Sequence, residues 1–274
     1  MLVGLTIEKY KGIEPSVLLS LAKRLGLEFV EITKSVFEDL DRVVPKMRRM
    51  KAGFHLPLIH DDGWDFSCPA YREEIDQLVQ LINRHRKELH ILHCICHPPE
   101  PFLSKVPIET SVDFLFENLR KLETPLYLEN VPKLPLEDYL RLYRQAQSSL
   151  GDQLAGLCFD AAHYYLEGIN PITQLENLNG EIGCVHLSDC NREQDLHLPF
   201  GQGGELPLDG ILATLKKQNY DGYINLEIMP RSLDDLEPVV ASYLRVLRPF
   251  RPGKYYRTRI KMFFLLPIIR KLIS

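Results

Sequence analysis

Apolar and polar positions alternate along this chain in blocks. Short runs of apolar and β-branched residues at 2–6, 27–33, 52–58, 89–96, 125–129, 155–160, 182–188 and 222–228 read as strands buried on both faces, the habit of a parallel sheet. Longer stretches with apolar residues on one face, at 16–25, 72–87, 136–150, 208–218 and 233–247, read as helices between them. Eight strands alternating with helices in under 250 residues predict an α/β fold, a single closed (β/α)8 barrel. A doubly wound open sheet is the competing arrangement, but no glycine-rich nucleotide fingerprint follows the first strand.

The polar residues that interrupt these apolar runs fall at one place. Glu129 ends LYLEN, Asp160 ends LCFD, His186 lies in VHLSD and Glu227 in INLEI, each at or near the C-terminal end of a predicted strand. In a barrel these are the fifth to eighth strands, and neighbours stand about 4.8 Å apart. Four such ends can converge on one ion with bonds of roughly 2.0–2.3 Å. Three carboxylates and an imidazole suit a borderline-hard divalent ion: zinc or manganese first, with cobalt or magnesium as alternatives. One such residue alone would read as a structural hydrogen bonder. Four on consecutive strands, at the face where barrel active sites lie, point to a metal centre. Further candidates extend the ring: His55 in GFHLPL, His97 in CICHPP, His163 three residues after Asp160, and the pair Asp195 and His197 in QDLHLPFGQGG. His93 lies inside its strand and reads as packed core; the loop residue His60 is left open.

Composition narrows the partners. The chain is 45% hydrophobic and 26% charged, normal for a globular protein. Neither a secretory leader nor an apolar run of about eighteen residues is present, which places the protein in the cytoplasm. Four of the six cysteines, Cys94, Cys96, Cys158 and Cys184, sit in strand-like runs and read as buried thiols. The net charge of −4 hides an asymmetry: from Arg245 onward there are nine basic residues and no acidic ones, so the body carries 24 basic against 37 acidic. An acidic body argues against a nucleic-acid footprint.

The motifs CFDAAH, VHLSD, DLHLPFGQGG and INLEIMP resemble the xylose isomerase-like TIM barrel superfamily, which includes sugar phosphate isomerases/epimerases and endonuclease IV. The likeness runs from position 2 to about 247. It implies one ion held by Glu129, Asp160, His186 and Glu227, with Glu129 and Glu227 also moving the proton through an enediolate. It implies further that His163 and Arg192, the latter in an H-x5-R arrangement with His186, contact substrate. In endonuclease IV three zinc ions use nine ligands, and His55, His97, Glu129, Asp160, His163, His186, Asp195, His197 and Glu227 stand as counterparts.

Two enzyme readings follow: a divalent-metal-dependent isomerase or epimerase of a sugar or sugar phosphate, and a zinc-dependent phosphodiester hydrolase. A non-catalytic barrel tethered by its tail is the third. The acidic loop 60–68 (HDDGWDFSC) and the short, weakly charged loop 97–105 lack the basic wedges a duplex nuclease needs. Trp64 fits a DNA wedge and an aromatic lid over a sugar ring equally, and Gly201, Gly203 and Gly204 fit either a phosphate cradle or a tight loop. By analogy with such enzymes a homo-oligomer is expected.

The barrel is assigned 1–248 and a basic, then apolar, tail 249–274, because Pro249 and Pro252 should stop the eighth helix by about Leu247. The tail is expected to pack on the barrel or on a sister subunit, to lie in the plane of an anionic membrane surface as a peripheral contact, or to be disordered.

Overall fold

The computed structural model describes residues 1–10, 12–100, 105–229 and 235–273, with side chains as far as Phe264. The expected eight strands form: β1 Leu2–Ile7, β2 Phe29–Ile32, β3 Lys51–His55, β4 Ile91–Cys96, β5 Leu126–Glu129, β6 Leu154–Asp160, β7 Ile182–Leu187 and β8 Tyr223–Leu226. They close in sequence order into a barrel, with β1 parallel to β8. Helices between them include Pro15–Leu25, Arg72–His85, Leu136–Leu150 and Leu208–Lys217, close to the periodic stretches. The helices Leu40–Met47, Ile108–Leu119, Ala161–Leu166 and Pro171–Asn177 are not among those the pattern singles out. The first carries Pro45 in its interior, and the last two span six and seven residues, too few turns to establish a period. The start of the helix expected at 233–247 and part of loop 97–105 lie outside the described residues.

The contacts fall into two compact units, 7–19 with 31–158, and 1–6 with 20–30 and 159–274. In the first, β3, β4 and β5 pair in parallel, and helix Leu136–Leu150 is tied to β5 by the Tyr139 hydroxyl donating to the Leu128 carbonyl at 2.9 Å. A register shift between Ala52 and Gly53 seats Gly53 opposite His93. A Cβ at 53 would lie 2.6 Å from His93 Nε2, so only glycine admits the ring there. His93 is buried and meets Tyr127 edge-on at 5.0 Å, a packed core residue within this unit.

In the second unit β7, β8 and β1 pair in parallel, and Asn225 donates to Thr6 Oγ1 at 2.9 Å. Phe29, wholly buried, lies over Gly4 and stacks obliquely on Tyr223 at 5.2 Å. All six cysteines are buried free thiols, and burial pushes Cys94 up to about 12, the state of an unreactive core residue.

The eighth barrel helix, Leu236–Phe250, stops three residues past Leu247, with Pro249 in its final turn at the cost of one i→i−4 bond. Arg251 then breaks the path, and Pro252 opens a second helix, Pro252–Ile273, the position at which proline is best tolerated. Its first turns pack on the segment after the first helix: Arg251 and Lys254 grip the Glu28 carboxylate at 2.5 and 3.1 Å, and the buried Thr258 reaches the Leu25 carbonyl at 3.5 Å.

Two outcomes follow from this packing. In Gly4→Ala the new methyl would stand 2.5 Å from the Phe29 ring and 2.8 Å from its carbonyl oxygen. We expect a loss of about 1–3 kcal/mol, read as a lowered urea midpoint; an unchanged midpoint would mean that Phe29 shifts freely. Burial raises the Glu28 pKa, but the hydrogen bonds of Arg251 and Lys254 outweigh it and leave the group below 4.5. A depressed carboxylate stabilises above its unfolded pKa and loses that contribution as pH falls. Glu28→Gln should therefore speed amide exchange over 252–264 at neutral pH, and the difference from the parent chain should shrink as pH falls below about 4.5 and vanish below the depressed pKa of Glu28. A difference that persists in acid would show that the charge of Glu28 is not what pins the helix.

Candidate metal centre

Each candidate ligand stands where its strand ends. His55, Glu129 and Asp160 are the last residues of β3, β5 and β6. His97 follows β4 directly, His186 is the penultimate residue of β7, and Glu227 follows β8. Because the strands are parallel, all belong to one end of the sheet.

In the unit containing β3–β5, one carboxylate oxygen meets two imidazoles. Glu129 Oε2 lies 3.2 Å from His55 Nε2 and 3.4 Å from His97 Nε2, with all three residues nearly excluded from solvent. The Leu56 carbonyl can only accept, so its 2.9 Å contact puts a hydrogen on His55 Nδ1. In a neutral ring, Nε2 then presents a lone pair to a carboxylate lone pair. Such an approach holds only if a proton or a cation lies between them.

The other unit repeats the device. Asp195 Oδ2 lies 3.0 Å from His163 Nε2 and 3.2 Å from His197 Nε2, and His197 Nδ1 donates to the Glu227 carbonyl at 3.0 Å. Asp195 Oδ1 is buried with no hydrogen-bond partner among the described residues. Burial alone would raise the Asp195 pKa, but the hydrogen bonds and charges of His163 and His197 hold it well below the ordinary carboxylate range. His197, which burial would lower, is pushed up to about 10 by Asp195, Glu227 and Asp160. The two shifts are the two sides of one pairing: imidazoles depress the carboxylate, and carboxylates raise the imidazole.

Beside this group, Asp160, His186 and Glu227 offer ligand atoms within 4.8 Å of one another, and His186 Nδ1 is 3.2 Å from Glu227 Oε2. Asp160 also caps the helix Ala161–Leu166 by accepting from the His163 N–H at 2.7 Å, which fixes the direction of both side chains. Two ligands of a single small divalent ion stand about 3.0–3.4 Å apart when each bond is near 2.1 Å. The nitrogen–oxygen separations of 3.0–3.4 Å fall in that interval. Imidazoles oriented by backbone carbonyls through their other nitrogen are the usual support of metal-ligating histidines. The donor set fits divalent metal.

The remaining candidates are placed otherwise. Trp64 stacks on Tyr71 at 6.1 Å, and Lys34 Nζ lies 5.1 Å above its ring. The Arg192 guanidinium lies 4.8 Å over the Tyr165 ring. His60 is half exposed, facing Asp61 and Glu100. Gly201 and Gly203 adopt positive φ, the tight-loop role.

The sequence reasoning missed Asp189. It pairs with Leu198 through both backbone groups, and its buried carboxylate accepts from Gly201 N–H at 3.0 Å and Leu206 N–H at 3.2 Å. The backbone of Gly204 wraps so closely that a Cβ there would fall 2.2 Å from the carboxyl carbon. Asp189 thus ties down the loop that carries Asp195 and His197. The available signal was an acid three residues past His186, followed by a glycine-rich loop.

The xylose isomerase-like TIM barrel family model matches residues 19–250, and the chain belongs to that family. An uncharacterised protein of Sinorhizobium fredii is 27% identical over 122 residues, 44% of this chain and 39% of that protein, so the match spans well under half of the relative. The crystal structure of D-allulose 3-epimerase from Methylomonas sp. in complex with D-allulose is similar, with a TM-score of 0.67 at 15% identity over 89% of this chain and 96% of that one. So is AP endonuclease, family 2, from Brucella melitensis, with a TM-score of 0.67 at 14% identity, covering 92% and 100%. At such identities the likeness is one of fold.

Asp189→Ala removes the acceptor of two loop N–H groups and leaves Leu206 N–H buried. It should lower stability by about 1–3 kcal/mol in denaturant melts. A melt that matches the parent chain would show that the loop holds itself.

Proposed function

We propose that this chain is a divalent-metal-dependent isomerase or epimerase acting on a sugar or sugar phosphate. The observation that carries the reading is the buried triad Asp160, His186 and Glu227, with ligand atoms within 4.8 Å of one another at strand ends. Glu129 joins it as the fourth ligand in this proposal. Glu129 pairs with Cys158 across β5 and β6, and Asp160 lies two residues further along β6. When bound, a divalent ion supplies fixed positive charge beside the substrate oxygens. Glu129 and Glu227 are the two proton carriers: one carboxylate takes the proton from carbon and the other returns it. Asp160 and His186 hold position, and His163 and Arg192 are assigned to substrate oxygens. For Arg192 this requires that its guanidinium leave the Tyr165 ring. For Trp64, a lid role requires movement away from Tyr71.

A second reading rests on a separate observation. Glu129 and Asp195 each meet two imidazoles through one oxygen, which gives ligand sets beyond the first ion: His55, His97, His163, Asp195 and His197. Several ions together suit phosphodiester hydrolysis. The fold is shared by an epimerase and an AP endonuclease, so it does not choose between them. The charge of the body supports the first reading: before Arg245, 37 acidic residues against 24 basic ones disfavour a polyanionic substrate.

Glu129→Gln and Glu227→Gln should each lower turnover of a ketose by about 10²–10⁴-fold with the fold intact by circular dichroism. Substantial activity in either variant removes the two-glutamate mechanism. Elemental analysis under saturating zinc, run beside turnover of ketoses and of abasic-site DNA, separates the readings. One ion with ketose turnover supports the isomerase; two or three ions with DNA cleavage support the hydrolase.

A further inference from the structure

The C-terminal helix has two apolar faces, and the barrel uses one. Thr258 and Met262, one turn apart, are buried at 2% and 5% exposure, on the side gripped through Glu28. Tyr256, Ile260, Phe263 and Phe264 are exposed by 59%, 60%, 75% and 65%. At about 100° per residue these four lie in an arc about 100° wide, on the side opposite Thr258 and Met262. Arg257 and Lys261 flank this stripe on one edge and Arg259 on the other. Between 252 and 274 the sequence has six basic residues and no acidic one, and beyond Phe264 it continues LLPIIRKLIS.

We propose that this outward face is a docking surface for an anionic lipid bilayer, on which the helix lies in the plane of the interface. Charge complementarity selects the occupant. A stripe of aromatic and aliphatic side chains edged on both sides by cations matches a surface that is apolar at depth and negative at the top. A second tail laid against the first would bring like charge to like charge. The helix lies along the membrane and does not cross it: no helix among the described residues is long and apolar enough to span. Every proposed metal ligand lies before Met229, so docking leaves the catalytic groups on the barrel.

The test uses the full chain with vesicles of phosphatidylcholine alone and of phosphatidylcholine with phosphatidylserine, in low and high salt. The parent chain should sediment with the anionic vesicles in low salt and be released by high salt. Phe263→Glu with Phe264→Glu should weaken binding at least about tenfold. Arg257→Gln with Lys261→Gln should weaken it by about fivefold per charge. All four side chains are solvent-exposed, so the variants should keep the parent melting profile. No sedimentation with either vesicle overturns the proposal, as does binding that is equal for neutral and anionic vesicles or that survives the double glutamate substitution. A dimer seen by sedimentation equilibrium and lost in the double glutamate variant, without vesicle binding, overturns it too and assigns the face to a second copy.

Discussion

The constraint on which this site depends is the burial of carboxylates at the ends of barrel strands. Glu129 and Asp160 are wholly excluded from solvent and Glu227 nearly so. Ionised carboxylates in such places cost several kcal/mol unless positive charge meets them. The side chains that do meet them are imidazoles, and two of these, His55 and His197, have their tautomer set by a carbonyl so that the nitrogen facing the carboxylate is the basic one. His197, pushed up by Asp195, Glu227 and Asp160, holds its proton beside these carboxylates. A site built this way works against stability in the metal-free state. The surrounding strands answer with dense apolar packing and with glycines where rings press on backbone, Gly4 under Phe29 and Gly53 against His93.

The strands were legible because each is an apolar run long enough to be buried on both faces, and their number and order gave the barrel directly. The position of the metal-competent residues was legible for the same reason: a carboxylate or imidazole at the end of such a run has nowhere neutral to go. What spacing does not carry is side-chain direction away from regular strands. Arg192 stands six residues after His186, yet its guanidinium turns to the Tyr165 ring, and Trp64 turns to Tyr71 and Lys34. Asp189 was missed because its partners are backbone N–H groups of a loop, to which only the glycines that follow it point. Pro249 and Pro252 were read as stops. Pro249 is admitted in the final turn of one helix, which ends one residue later, and Pro252 opens the next, where its missing N–H has no partner to lose.

The charge asymmetry acquires a physical meaning once the tail is seen as a helix. The acidic residues belong to the body, and the basic ones concentrate on a helix with one face against the body and one face outward. The barrel face of that helix is held by Glu28, a contact that is half exposed and so weak in isolation, but reinforced by two cations and by the burial of Thr258 and Met262. The helix therefore turns Tyr256, Ile260, Phe263 and Phe264 outward while Thr258 and Met262 face its unit.

The two enzyme readings make incompatible demands on one atom pair. Both His55 and His97 approach Glu129 through the same oxygen, Oε2. If a cation occupies that three-residue corner, Oε2 is committed to it, and a second cation shared with the triad would commit Oε1 as well. A carboxylate bound through both oxygens to cations is a poor base, because its lone pairs are engaged and its proton affinity falls. The proton-transfer role of Glu129 thus requires the His55–His97 corner to stay empty of metal or to hold it loosely, whereas hydrolysis by several ions requires it filled. On the proposed readings, then, the affinity of two imidazoles and one buried oxygen for a cation is what separates proton transfer from hydrolysis.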